Sequence, residues 1–253
     1  MDLSFGLKDK TVIITGVAGA IGGAVAEGFA AAGAYVAIVD LNQSTLTAKV
    51  ESLGARHAGF GADLTDVAVL PGLVSDIEAA LGPVSVLVNI AGVILRNDDL
   101  LSVTESEFDT QMSVNLKAPF FLSQTVARSM IARGQGGAII NYSSQGWLSG
   151  GFGGSVVYNA GKGGITTMTR GLARSWADAG IRVNAVAPGL VETPMLGLDR
   201  MTPEQVDRMV GGIPMNRLAV PQDHVGATLF LASDHAAYIT GATLNVSGGF
   251  LMY

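Results

Sequence analysis

The stretch "VIITGVAGAIGGAVAEGF", Val12 to Phe29, runs from an apolar, β-branched segment through a glycine-spaced turn into an alanine-rich, helically spaced one. Such a strand–turn–helix lets the chain bend sharply and brings backbone N–H groups close to an anion at the helix N-terminus. The glycines are Gly16, Gly19, Gly22 and Gly23. Their spacing is not G-x-G-x-x-G, and the Lys-Ser/Thr pair of a P-loop is absent. On these residues alone, a tight turn that packs a helix on a sheet competes with a phosphate cradle. Asp40 shifts the balance. It ends the next apolar run, "YVAIVD", eighteen residues after Gly22, where a carboxylate can accept hydrogen bonds from a ribose diol. Its competing use is to cap the helix opening near "LNQSTL". Loop and Asp40 together predict a dinucleotide site.

Outward from this unit the pattern alternates. Short β-branched runs stand at "TVIITG", "YVAIVD", "VSVLVNIAG", "GAIINYSS", "RVNAVAPG" and "ATLNVSG". Helical spacing fills Ala24 to Ala32, Leu70 to Leu81, Phe108 to Ala132, Val157 to Ala177 and Asp223 to Ala232. The runs are almost wholly apolar, as strands covered on both faces should be. Strand followed by helix, repeated, implies right-handed crossovers and a parallel sheet. The expected architecture is α/β: a single-domain, doubly wound parallel sheet of Rossmann type over residues 1–253, with helices on both faces. The segment 193–216, with three prolines and four methionines, breaks the rhythm. It reads either as a substrate lid or as a surface helix with a long connection.

Composition narrows the class. Hydrophobic residues make up 49% and charged residues 14%, and the mean hydropathy is +0.42. That calls for a large core or buried subunit interfaces. Glu27, Asp40 and Asn89 interrupt the longest apolar stretches, so no membrane span is expected. The opening "MDLSFGLKDK" has no signal-peptide pattern, and cysteine is absent; a cytoplasmic protein is expected. A net charge of −6 argues against nucleic acid. His57, His224 and His235 match no metal spacing, and no G-x-S-x-G elbow marks a hydrolase. N-x-S triplets at Asn42, Asn141 and Asn245 read as chance without secretion.

Six motifs then occur in order. They are "TGVAGAIG" (Thr15 to Gly22), "NIAG" (Asn89 to Gly92), Asn115 in "VNLKAPFF", "NYSS" (Asn141 to Ser144), "YNAGK" (Tyr158 to Lys162) and "PGLVET" (Pro188 to Thr193). The series closely resembles the classical short-chain dehydrogenase/reductase family along essentially the whole chain. Three positions depart from the family pattern: Ala20 for the middle loop glycine, Ile90 for a second Asn, and Gly161 for a usual Ser. None removes a group needed for chemistry, and Ala20 is conservative if its φ is negative.

Interconverting an alcohol and a ketone needs hydride transfer at carbon and proton transfer at oxygen. Tyr158 and Lys162 are four apart on an expected helix, hence adjacent on one face. A phenol of pKa about 10 is a poor base at neutral pH, and a nearby ammonium favours its ionised form. The resemblance implies that Ser144 bonds the reacting oxygen, with Ser143 structural. It further implies that Lys162 also holds the nicotinamide ribose beside Tyr158, and that Asn115 supports a proton relay. Gly16, Gly19, Ala20 and Ile21 would form the phosphate loop, and Asp63 and Leu64 would meet the adenine. Asn89, Ala91 and Gly92 would lie on the adenosine side, and Pro188, Gly189, Val191 and Thr193 would hold the carboxamide. For Asp63, an N-cap before "LTDVAVL" is the alternative.

Cofactor choice follows from charge. Gly19 has no side chain and "DLNQ" has no Arg or Lys, whereas Asp40 would repel a 2′-phosphate; NAD is expected. The segment "AGVILRNDDLLSVTESEFD" is similar to family members acting on sugar acids and polyols, such as deoxygluconate and gluconate dehydrogenases. The overall pattern also fits 3-oxoacyl-carrier-protein reductases, and the fold permits a non-catalytic dinucleotide-binding regulatory protein. Arg96, Gln145, Trp147, Phe152 and Met195 are candidate walls for a small alcohol or ketone. Arg96 either meets a carboxylate or is a solvated loop arginine. The apolar tail "TGATLNVSGGFLMY" and the family resemblance together imply a homotetramer.

Overall fold

Strand β1 (Thr11–Thr15) is buried along its whole length and pairs in parallel with β2 (Tyr35–Asp40) on one side and β4 (Val84–Asn89) on the other. The computed structural model, which describes residues 5–151 and 153–253, extends this centre into a seven-stranded sheet. Beyond β2 lies β3 (Ala58–Gly61), and beyond β4 lie β5 (Gly137–Tyr142), β6 (Ile181–Pro188) and β7 (Thr243–Val246). The order is β3-β2-β1-β4-β5-β6-β7, with every pairing parallel. Strand β3 was not among the expected runs. Its "AGFG" offers one large apolar side chain, Phe60, and Gly59 lets a helix lie close: a Cβ there would sit 3.1 Å from the Leu46 Cβ.

Alternate strand residues feed two cores, as a period of two requires. Val12, Ile14, Val36, Ile38, Val88 and Ile140 face one way, against Phe29 of α1 (Ala20–Ala31), Leu46 of α2 (Gln43–Leu53) and Leu229 of α9 (Val225–Ala232). Ile13, Val39, Leu87, Ile139 and Val183 face the other. There they meet α3 (Leu70–Leu81), α5 (Ala118–Ala132) and α7 (Val156–Trp176). The short helices α4 (Glu105–Met112), α6 (Gly146–Ser149) and α8 (Pro203–Gly211) lie among the connections.

The span 108–132, expected as one helix, is broken. A π-helical turn at Ser113–Lys117 separates α4 from α5 and turns Asn115 fully inward. The segment 193–216 holds two 3₁₀ turns, Pro194–Leu196 and Leu198–Arg200, followed by α8, which starts with a Thr202/Gln205 capping box. Met215 N–H then donates to Gly248 O at 3.1 Å, which ties the segment's end to the chain after β7.

β1 is flanked by β2 and β4, so the connections leaving β1 and β4 diverge at their C-terminal ends and leave a crevice there. No helix among the described residues is long and apolar enough to cross a membrane.

Candidate functional site

The glycine loop closes one side of the crevice. Gly16 has φ +72°, and a Cβ on it would lie 2.7 Å from both N and Cα of Ala91. At Gly22 a Cβ would come within 2.2 Å of Gly16 O, so the loop and the first turn of α1 can approach only as glycines. Ala20 starts α1 without a positive φ, so a methyl group is tolerated where the family has glycine. Gly19 is the N-cap and offers no side-chain oxygen. The leading N–H groups of α1, those of Ala20 and Ile21 among them, therefore have no side-chain cap. This is a cradle suited to a pyrophosphate.

Asp40 does not cap α2; that task falls to Asn42, whose Oδ1 accepts from Ser44 N and Thr45 N. Instead the Asp40 carboxylate accepts from Ala18 N in the glycine loop at 2.9 Å and from Leu41 N at 2.8 Å. It is thereby fixed, half-buried, at the mouth of the loop. Asp63 is exposed, and its carboxylate accepts from both N and Oγ1 of Thr65, which hold its pKa below the usual value. The cap of the next turn is Asp66, whose side chain accepts from Ala68 N; Leu64 lies half-buried between the two aspartates.

After β4 the side chain of Asn89 turns into the sheet, donating to Ser123 Oγ (3.0 Å) and Asn141 Oδ1 (2.8 Å). Its side chain thus joins β4, β5 and α5 rather than lining the crevice. Ile90 N and Ala91 N both donate to Thr15 Oγ1, which pins this connection to the end of β1. Gly92 leaves room for the catalytic end: a Cβ on it would stand 3.0 Å from Asn115 Oδ1 and 3.4 Å from Lys162 Nζ.

Asn115 is clamped to Val93 by two bonds, Nδ2 donating to Val93 O (2.7 Å) and Oδ1 accepting from Val93 N (3.0 Å). The backbone-capping use of this side chain and its place beside Lys162 are therefore compatible. Gly161 follows from the same packing, since a Cβ there would press to 3.3 Å from the Asn115 Cβ.

The two serines after β5 differ. Ser143 is buried, its hydroxyl donating to Lys162 O (3.0 Å) and paired with Thr166 Oγ1 (2.8 Å). Ser144 is half-buried, accepts from Gly146 N (3.2 Å) and shares a hydrogen bond with the Tyr158 phenol. Lys162, four residues beyond Tyr158 on α7, is 4% exposed and donates to Tyr142 O at 2.8 Å.

The electrostatics depart from the simple pair. Burial pushes the Tyr158 phenol up to about 12, while Ser144 and the Arg96 guanidinium pull it back; burial brings Lys162 down to about 8. The ammonium lies 5.6 Å from the centroid of the Tyr158 ring and donates to the Tyr142 carbonyl. The cation with a resolved effect on the phenol is Arg96, an exposed side chain whose Nη1 donates to Gly153 O at 3.1 Å.

At the end of β6, Pro188 O accepts from Gln145 N (2.9 Å), and Gly189 lies so near the chain after β7 that its Cβ would fall 2.6 Å from the Ser247 Cα. Val191 forms a bridge to Ala219, and Thr193 Oγ1 lies 3.4 Å from Val191 O. Of the expected walls, Gln145 is buried and Met195 is exposed just past Thr193. The Trp147 ring is flanked by Arg170 (5.8 Å) and Tyr253 (5.2 Å), and Phe152 lies outside the described residues.

A family model described as enoyl-(acyl carrier protein) reductase matches residues 16–251. The chain belongs to the classical short-chain dehydrogenase/reductase family. Among curated members of this family, 2-dehydro-3-deoxy-D-gluconate 5-dehydrogenase of Dickeya dadantii is 37% identical, with 98% of each chain covered. Galactitol 2-dehydrogenase (L-tagatose-forming) of Cereibacter sphaeroides is also 37% identical, again with 98% of each chain covered. In structure, a putative short-chain alcohol dehydrogenase from Sinorhizobium meliloti has a TM-score of 0.91 at 35% identity, covering 98% of both chains. A putative 2-deoxy-D-gluconate 3-dehydrogenase from Agrobacterium tumefaciens, with bound NADP, has a TM-score of 0.88 at 34% identity, covering 98% of this chain and 99% of that one. The protein is thus a dinucleotide-dependent short-chain dehydrogenase/reductase acting on CH–OH groups. Two parts of the site escape sequence reading: the electrostatic effect of Arg96 on the phenol, and the burial of Asn159 against the segment after Ser144.

Proposed function

We propose that this protein uses NAD to interconvert a secondary alcohol and a ketone on a sugar acid or polyol. The observation that carries the cofactor choice is the Asp40 carboxylate, held at the loop mouth by Ala18 N and Leu41 N. Its remaining lone pairs suit a ribose diol, and a 2′-phosphate would meet like charge with no cation nearby in Gly19 or "DLNQ". The bound NADP of the Agrobacterium relative belongs to that protein.

When bound, the nicotinamide supplies the hydride acceptor or donor. In this reading Gly16, Gly19, Ala20 and Ile21 cradle the pyrophosphate. Pro188, Gly189, Val191 and Thr193 position the carboxamide, and Lys162 with Tyr158 holds the ribose. Tyr158 exchanges the proton at the reacting oxygen while Ser144 bonds that oxygen, and Asn115 fixes the floor beneath Lys162. A phenol pushed up to about 12 by burial favours the protonated form, which suits it to give a proton to a ketone oxygen. Arg96 beside the phenol suits the carboxylate of a sugar acid. The relatives named as (3R)-3-hydroxyacyl-CoA dehydrogenases, 35% identical, favour a second reading with an acyl thioester as substrate.

We also place the protein in the cytoplasm as a homotetramer. An apolar groove lined by Met112, Leu116, Phe120, Phe121 and Met168 offers a face for a second copy. Following NADH or NADPH absorbance with sugar acids, polyols and 3-hydroxyacyl thioesters tests the reading. NAD should be preferred by at least about 10²-fold in kcat/KM. Equal use of the two cofactors would overturn the role of Asp40, and turnover of the thioester alone would overturn the sugar-acid assignment.

A further inference from the structure

We propose that Asn159 is a positioning residue: its buried amide seats Gly146 so that the Gly146 N–H holds the Ser144 oxygen and leaves the Ser144 proton for the reacting oxygen. The inference rests on the reading of Tyr158 and Ser144 given above, and goes beyond it to what orients them.

Gly146 opens α6, and its N–H donates to Ser144 Oγ at 3.2 Å. A hydroxyl has one proton and two acceptor lone pairs, so an N–H on one lone pair biases its proton toward a different partner. Asn159 packs directly against Gly146. That side chain is 6% exposed and anchored to the start of α7, with Nδ2 donating to Ser155 O (2.8 Å) and Ser155 Oγ (2.9 Å). The amide occupies space that side chains on the facing segment would need. A Cβ on Gly146 would lie 1.7 Å from Asn159 Oδ1, and one on Gly151 would lie 1.9 Å from Asn159 Nδ2. Gly151 has φ +78°, so the chain there turns in a conformation that suits glycine and folds closely over the amide. Removing the amide opens a void between α6 and α7 and frees Gly146 to shift, and Ser144 shifts with it.

The test uses the intact chain and the alcohol identified by the substrate panel. Tyr158→Phe comes first; if that variant keeps its turnover, the reading of the site fails, independently of Asn159. Asn159→Ala should then lower kcat/KM for oxidation at pH 7 about tenfold, the worth of one hydrogen bond to a developing charge. The midpoint of the rising limb of kcat/KM, which reports the enzyme before substrate enters, should move up by about half a unit or more, because in that state the same Ser144 proton bonds the ionised phenol. NAD affinity by calorimetry should stay within about twofold, since Asn159 lies apart from the glycine loop. Combined with Ser144→Ala, Asn159→Ala should add less than about twofold, because both act through one group. Gly146→Ala, which drives a methyl group into the amide, should reproduce the pH shift and serves if Asn159→Ala does not fold. An unmoved midpoint, or losses that add in the double variant, would overturn the proposal.

Discussion

Replacing His224 by leucine should make the protein more resistant to acid, by an amount that the structure sets. His224 is fully buried at the end of a 3₁₀ turn (Pro221–His224) leading into α9, and neither ring nitrogen has a hydrogen-bond partner among the described residues. Burial brings its pKa from 6.5 down to about 4, with the Asp223 carboxylate opposing the shift only in part. The folded chain therefore binds fewer protons than the unfolded chain between about pH 6.5 and pH 4, and stability falls as pH is lowered through that window. At about 1.4 kcal/mol per pKa unit, the loss attributable to His224 is about 2 kcal/mol at pH 5 and about 3 kcal/mol at pH 4. Asp223 does not share the window, since its pair with Arg217 holds its pKa at about 2. His57, whose pKa is also lowered by burial, is present in both proteins and cancels in the difference. Urea unfolding of the two proteins at pH 7.5 and pH 5, compared as a difference of differences, isolates the term. If both lose the same stability over that range, then His224 is solvated or hydrogen-bonded in the native state and the reasoning is wrong.

Tyr158→Phe should retain the fold and NAD binding while turnover falls by at least about 10²-fold in a steady-state assay, within the usual share of general acid–base catalysis. Gly22→Ala puts a methyl group 2.2 Å from Gly16 O; it should abolish dinucleotide binding by calorimetry, and retained affinity would show that the loop can open without cost. Light scattering should give four times the 25.9 kDa of one chain, and a monomer mass would remove the apolar groove from consideration as a subunit face.

The central strands were legible because their residues are apolar on both faces, and the glycine loop was legible because it directly follows the first of them. β3 was not, since "AGFG" has neither length nor β-branching to mark it. The break at Ser113–Lys117 escaped because an extra residue in one turn barely disturbs the apolar spacing on either side. The four-residue interval correctly brought Tyr158 and Lys162 together. It could not tell that the ammonium donates to the Tyr142 carbonyl, because that depends on χ angles and on a strand elsewhere in the chain. The inward turn of Asn89 and the reach of Arg96 are likewise products of tertiary packing between segments far apart in sequence.

The bond from Ala91 N to Thr15 Oγ1 joins residues 76 positions apart. Until β4 has docked beside β1, the glycine loop has no opposing wall, and three helices must be formed or bypassed before that docking occurs. Closing a loop of that length costs conformational entropy, so this wall is a long-range feature of the fold rather than a local one. A chain that has not made the β1–β4 pairing lacks this wall of the site, so the pairing is a step on which dinucleotide binding depends. A ligand that binds only after that step pulls the whole equilibrium forward, by about 2.7 kcal/mol at a concentration a hundred times its Kd. Bound dinucleotide would thereby stabilise the β1–β4 pairing that builds its own site.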